Sequence, residues 1–387
     1  MNASNGNYDV IVIGAGSVGV PAAYYTAKAG MKVLVIDRYA SVGQCANKAA
    51  IGGVRATHSD TAKIQIGLKS IEILSTWQET HGDNIEWQTG GYTFVAYGPH
   101  EEKTLKGLLK IQHSYGLNID WLDSDELRQA VPALRADGLL GGTFSPEDGS
   151  ASPLLTLHAF YRQACLQGAE FRFGETVTAI PVSEGRITGV ETDRGRYGAP
   201  VVINAAGAHA NQISSLAGVD SPVTPDAHEG GITEPVARFL EPMVVDIRPR
   251  PGSSNFYFYQ HHTGQVVFCI TPSPPIVGTD RRETSEFLPM VSRRMVEIMP
   301  RLMHLKVRRT WRGLYPMTPD GAPVVGRVRE VDGFIQAVGM CGQGFMLGPG
   351  LGVYLARLAT GRLEPDDHEV FEVLSPYREF AGTEQLR

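Results

Sequence analysis

The chain has 387 residues, more than one ordinary core accommodates, so two structural domains with a sizeable interior are expected. Apolar residues make up 42% and charged residues 20%, and a formal charge of −6 with scattered basic residues leaves no footprint for nucleic acid or an anionic membrane. The cysteines Cys45, Cys165, Cys269 and Cys341 show neither CxxC nor Cys/His ligand spacing, so no metal is expected and a reduced, cytoplasmic setting fits best.

The polar leader Met1 to Asn7 lacks the charged and apolar regions of a signal peptide, and no stretch is long enough for a membrane span. Tyr8 to Ile13 is a β-branched run suited to a buried parallel strand. It breaks at Gly14, Gly16 and Gly19 before small and apolar residues continue as a helix, and a second strand, Lys32 to Ile36, closes on Asp37. This is the order of a dinucleotide-binding βαβ unit. Gly14 makes the tight turn, Gly16 admits a pyrophosphate to the backbone, and Gly19 lets the helix pack on the strand. The helix N-terminus, with Ser17 and Val18, offers N–H donors and a positive dipole end. The Asp37 carboxylate suits both ribose hydroxyls and disfavours a 2′-phosphate, and Arg38 beside it joins the cofactor-binding candidates. The unit itself leaves FAD, NAD and a purely structural turn open.

After about residue 85 the pattern changes. IEWQTGGYTFVAYG reads as an antiparallel strand and turn, followed by amphipathic helices at Lys103 to Tyr115 and Ser124 to Ala130, with Pro132 ending the second. A helix over Ser152 to Gly168 leads to short strands around Gly185 and Gly195 and a β-branched run, Pro200 to Ile203, that ends in NAAG at Asn204 to Gly207. From about 218 to 310 the pattern is antiparallel again. In Asn255 to Gln260 alternation puts Phe256 and Phe258 on one face and Tyr257 and Tyr259 on the other. A helix through Glu286 to Ile298 follows, and the last segment returns to a strand, a glycine-rich turn and a helix.

The order of GAGSVG with Asp37, AAIGGVR at Ala49 to Arg55, VTAI at Val177 to Ile180, INAAGA at Ile203 to Ala208, WRGLYPMTPDGAPVVG at Trp311 to Gly326 and GMCGQGFMLGPGLG at Gly339 to Gly352 resembles the D-amino-acid oxidase-like FAD enzymes. Within them it is similar to the sarcosine oxidase, glycine oxidase and proline dehydrogenase β-subunit branch. The resemblance implies an α/β plus α+β fold: an FAD-binding Rossmann-like domain with a parallel sheet (1–86, 145–217 and 309–387) and a discontinuous substrate domain on a mainly antiparallel sheet (87–144 and 218–308). It implies FAD, with Val177 holding the adenine through its backbone, Ala206 and Gly207 along the cofactor, and Lys48, Ala49 and Gly53 near it. Gly313 and the turn Gly339, Gly342, Gln343 and Gly344, continuing into Phe345 and Met346, border the flavin ring, where a helix N-terminus stabilises an anionic reduced ring.

Amine oxidation needs a C–H bond held over the flavin, an uncharged amine and a clamp on the substrate carboxylate. The resemblance of GGVR to the family segment whose arginine sits beside the flavin makes Arg55 the candidate clamp through bidentate pairing, against a surface or phosphate-facing arginine, with Lys48 and His58 flanking it. Tyr257, Tyr259 and His228 are further candidates, against the plain alternatives of half-buried sheet and a structural histidine; His261 and His262 read as an exposed turn rather than as ligands. Departures from the family carry further expectations. Gly313 stands where monomeric sarcosine oxidases bond flavin to cysteine, so FAD is expected to be noncovalent. Met346 stands where they carry an oxygen-activating lysine, which favours a dehydrogenase over an oxidase, and Gln343 replaces a histidine.

The expected activity is oxidation of the C–N bond of an amino acid or N-substituted glycine to an imine, with electrons passing to a partner subunit, quinone or oxygen, in a homo- or hetero-oligomer. A 2-hydroxy acid dehydrogenase using His228 as base, and a non-catalytic flavoprotein acting in assembly, are the rival readings.

Overall fold

The computed structural model describes residues 6–386. Val10–Ile13 lies in a six-stranded sheet whose order is Val324–Arg327, Phe334–Val338, Val201–Asn204, Val10–Ile13, Val33–Asp37 and Glu170–Phe173. Every neighbouring pair in it is parallel except the first. Side chains alternate between two buried faces, as a sheet covered on both sides requires. Val10, Val12, Val33 and Val35 pack under the helices Gly19–Lys28, Thr61–Ser75, Pro153–Leu166 and Gly344–Thr360. Ile11, Ile13, Leu34 and Ile36 face a small sheet formed by Val177–Ala179, Gly189–Thr192 and Arg196–Gly198.

The second sheet has eight strands in the order Val307–Met317, Thr224–Thr233, Val266–Ser273, Gly252–Gln260, Met243–Asp246, Tyr92–Ala96, Gly141–Ser145 and Asp120–Asp123. Its pairs are antiparallel apart from Met243–Asp246 with Tyr92–Ala96. Phe256 and Phe258 pack under the helix Phe287–Ile298. Tyr257 and Tyr259 face the other way, among Tyr92, Met243 and Trp311.

Val307–Met317 pairs along its length with Thr224–Thr233, so the segment from 309, grouped by sequence with the nucleotide domain, first completes this sheet and rejoins the parallel sheet at Val324. The helix expected at Lys103 begins at Pro99, a residue whose fixed φ suits a first turn. Among the described residues no helix is long and apolar enough to cross a membrane.

Candidate functional site

A cavity of about 410 Å³ lies between the two sheets and runs from the first glycine turn to Arg55 and His228. At the turn, Gly14 has φ of +111°, and a Cβ there would fall 2.4 Å from the Ala205 carbonyl oxygen. A Cβ on Gly19 would fall 1.9 Å from the Gly14 oxygen, so this glycine sets helix packing and does not line the cavity. Gly16 has open space where its side chain would be, and lines the cavity with Ser17 and Val18.

Asp37 accepts from Ala15 N at 2.7 Å and Tyr39 N at 2.8 Å, which leaves half of its lone-pair sites for a ligand's hydroxyls. Burial raises its pKa while these two N–H groups and Arg38 oppose the rise. Arg38, Val177, Ala206 and Gly207 line the same end, and Arg38 Nη2 lies 2.6 Å from His209 Nε2. A pyrophosphate cradle, a ribose acid and an apolar slot fit a dinucleotide.

At the other end Ala49, Gly53, Gly313 and the run Gly342, Gln343, Gly344, Phe345 and Met346 line the wall. The helix Gly344–Thr360 starts here, so its first N–H groups lie at this wall. The Gln343 side-chain oxygen is buried without a protein partner. A Cβ at Gly342, whose φ is +82°, would meet the Tyr315 ring at 2.0 Å, so glycine here lets that tyrosine into the site. A Cβ at Gly313 would lie 2.8 Å from Ala49 Cβ, which leaves no room for a larger side chain.

Arg55 is 5% exposed and lines the cavity under the Phe94 ring. Its Nη1 donates to Thr57 O and faces His58 Nδ1 at 3.1 Å, and its Nη2 donates to Leu386 O. Burial lowers its pKa, partly offset by Tyr92, Glu384 and Asp148. A guanidinium carries five N–H donors, so these three contacts leave two donors over. His58 is buried, and desolvation followed by the charges of Arg55 and Lys63 holds it well below its ordinary pKa, so it adds no positive charge near neutral pH. Behind this group Lys63 Nζ and Glu384 Oε2 form a fully buried pair at 2.9 Å, and Asp148 accepts from Ala56 N and Thr57 Oγ1.

Opposite them, His228 Nε2 lies 3.1 Å from Asp226 Oδ2, and the imidazole stacks on Tyr315 at 3.7 Å between centroids. Tyr315 O–H pairs with Tyr257 O–H at 2.8 Å. The Nδ1 atom of His228 is buried without a partner. Desolvation lowers the His228 pKa against the pull of Asp226, and Arg312 adds to the lowering. Burial raises Asp226, but its bonds from His228, Ala227 N and Ile276 N prevail, and it stays below the ordinary carboxylate value.

Arg55, Tyr257 and His228 therefore share one cavity, whereas Tyr259, Lys48 and Gly339 do not line it. Tyr259 turns its hydroxyl onto Ile51 O at 2.6 Å. Lys48 is exposed on the short turn Asn47–Ala49. A Cβ on Gly339 would meet Thr318 Cγ2 at 2.3 Å, so that glycine serves packing. Asp226, Tyr315, Tyr92 and Trp311 are further residues at or behind this wall that sequence alone does not single out for the site. Asp226 and His228 two residues apart on a strand share a face, and that spacing was the available signal.

Comparison with known proteins places the whole chain among similar folds and sequences. L-proline dehydrogenase from P. horikoshii superposes with a TM-score of 0.89 at 31% identity, over 96% of this chain and 97% of that one. The hydrogen cyanide synthase subunit HcnC of Pseudomonas aeruginosa is 26% identical, over 94% of this chain and 95% of its own. Glycine oxidase of Bacillus licheniformis is 26% identical, over 92% and 93%. The family model described as FAD dependent oxidoreductase matches residues 9–358, so the chain belongs to the FAD-dependent oxidoreductase family.

Proposed function

We propose that this oxidoreductase oxidises the C–N bond of a small amino acid or N-substituted glycine to an imine that water hydrolyses. The observation that carries the reading is the continuity of one cavity from the dinucleotide cradle to Arg55 on one side and His228 on the other. The six-stranded unit holds the cofactor and the eight-stranded unit walls the substrate.

Bound FAD supplies the two-electron acceptor. Gly14, Gly16, Ser17, Val18, Asp37, Arg38, Val177, Ala206 and Gly207 would hold its nucleotide end. Ala49, Gly53, Gly313 and Gly342 to Met346 would border its ring, and Gly313 offers no nucleophile for a covalent bond at that position, which supports noncovalent FAD. The two remaining N–H donors of Arg55 clamp the substrate carboxylate, which fixes the α-carbon in the cavity. With Asp226 accepting a hydrogen bond from His228 Nε2–H, Nδ1 is the lone-pair end; it is buried in this structure, and a small turn of the ring would present it to the substrate ammonium, whose proton it takes. The amine nitrogen then has the free pair that C–H cleavage needs. Tyr257 and Tyr315, buried and held far above their ordinary pKa mainly by desolvation, stay neutral and close the cavity wall.

Met346 replaces a cation at the ring, which favours a dehydrogenase passing electrons to a partner subunit or quinone over direct oxygen use. The HcnC relative is itself a subunit, in keeping with a hetero-oligomer. A reduced cytoplasmic setting fits four cysteines that form no disulfide among the described residues. A second reading, oxidation of a 2-hydroxy acid, draws on the Asp226–His228 pair, which would serve an alcohol proton equally well.

Anaerobic mixing with proline, sarcosine, N-methylated and cyclic amino acids, D- and L-amino acids and 2-hydroxy acids tests both. Bleaching of the flavin by an amino acid is expected. Bleaching by hydroxy acids alone selects the second reading, and a flavin reduced by dithionite but by none of these compounds defeats both.

A further inference from the structure

Outside the catalytic cavity, Glu86, His261 and His262 bring a carboxylate and two imidazoles together from distant parts of the chain. Glu86 sits in the loop between the helix Trp77–His81 and the strand Gln88–Thr89. The histidines lie in the turn that joins Gly252–Gln260 to Val266–Ser273. His261 Nε2 lies 3.6 Å from Glu86 Oε2, and His262 Nε2 lies 3.8 Å from Glu86 Oε1. One ligand atom from each residue falls within 4.8 Å of the others. The side chains of Glu86 and His261 are 30% and 23% exposed and His262 is an exposed residue, as expected of a turn, so the group is open to solvent.

We propose that these three residues form a divalent transition-metal site, with Zn²⁺ as the best-matched ion. Metal–ligand distances of about 2.0–2.1 Å in a tetrahedron put donor atoms roughly 3.3 Å apart, close to the two separations seen. Two imidazoles and one carboxylate suit Zn²⁺, Co²⁺, Ni²⁺ or Cu²⁺, whereas Mg²⁺ and Ca²⁺ prefer sets of oxygens. The orientation of one ring is already set: His261 Nδ1 bonds Thr263 Oγ1 at 2.6 Å, which leaves Nε2 as the atom facing Glu86. A hydrogen bond of this kind on the distal ring nitrogen is how metal-bound histidines are aimed. The turn itself is pinned by His261 N to Gln265 O and Gly264 N to His261 O, both 2.8 Å.

A bound ion would tie the loop at 86 to the hairpin turn at 261–262. With three protein ligands the fourth position falls to water. None of the three residues lines the catalytic cavity, so the site is separate from amine oxidation and does not depend on its assignment.

Equilibrium dialysis of the FAD-loaded protein, stripped with a chelator and then titrated with Zn²⁺, decides the matter. Uptake of about one equivalent in the wild type is expected, with loss of that equivalent in a His261→Ala/His262→Ala variant and at least a tenfold weaker site in Glu86→Gln. The thermal midpoint of the wild type should rise with Zn²⁺ while that of the double variant does not. FAD content and substrate-driven flavin reduction serve as the folding control and should match across the variants. Equal Zn²⁺ uptake by the wild type and the double variant, or no uptake by either, overturns the site.

Discussion

His228 and Asp226 stand two residues apart on one strand, and the carboxylate holds the imidazole Nε2 at 3.1 Å while Nδ1 keeps no protein partner. A carboxylate in this position both orients the ring and fixes which nitrogen carries the proton. If Nδ1 accepts the substrate's proton, the flavin-reduction rate rises with pH through the His228 pKa. That pKa lies below the ordinary value because burial and Arg312 outweigh Asp226. Tyr315, stacked on the ring, is neutral there and supplies no charge. Asp226→Asn removes the opposing pull, so the acid limb of the profile should move to lower pH and the plateau rate should fall by roughly 10²-fold, the scale of a positioned general base. Stopped-flow reduction across pH checks this; an unmoved limb in the variant removes His228 as the base.

Arg55 has a mixed role that a single substitution would blur. Replacing it with Ala strips the donor from the Thr57 and Leu386 carbonyls, and a buried acceptor left unpaired costs about 1–3 kcal/mol. Arg55→Lys retains a charge and a donor but not the fork. For this variant the Michaelis constant for the amino acid is expected to rise at least tenfold, with FAD retained. The matching amine without a carboxylate should react equally with both proteins, and an equal loss for both substrates would mean that Arg55 only supports the fold.

Much of the cofactor end could be read from residues 8 to 37, because the βαβ unit is local in sequence and each glycine's task follows from its place in the turn. The wall opposite could not. The cluster around Arg55 is assembled from Asp148, Lys63 and Glu384, and no spacing in the chain announces that these meet. Alternation correctly separated Phe256 and Phe258 from Tyr257 and Tyr259, yet it could not tell that Tyr257 meets Tyr315 in the cavity while Tyr259 is spent on Ile51. The edge strand Val307–Met317 is illegible for a related reason: its partner, Thr224–Thr233, lies about eighty residues earlier.

Asp148 should leave a signature in stability. Burial pushes its pKa up to about 6 from 3.8, despite the Ala56 and Thr57 hydrogen bonds and the Arg55 charge. An acid whose folded pKa is raised binds its proton more tightly when native, so the native state is favoured below the ordinary value and loses that advantage as pH rises to about 6. The full loss is ~3 kcal/mol. Asp148→Asn cannot ionise. The wild type's thermal midpoint relative to this variant should therefore fall between pH 4 and pH 6 and then level off, and a flat difference over that range would place the Asp148 pKa at its ordinary value.

Met346 lies in the first turn of the helix Gly344–Thr360 and lines the cavity, half-buried. Oxygen reduction begins with one-electron transfer that makes a superoxide anion, and a thioether gives that anion no electrostatic support. The helix N-terminus supplies partial positive charge at the same wall, which is less than a full cation. Met346→Lys would add a full cation on a flexible stem beside the same wall, where half-burial leaves solvent to limit its desolvation cost. Reoxidation of the substrate-reduced protein in air should then quicken at least tenfold, while reduction by substrate and reoxidation by an artificial dye stay within about twofold. Rapid air oxidation of the wild type, equal to that of the lysine variant, would mean that the missing cation does not limit oxygen use and that this chain works as an oxidase.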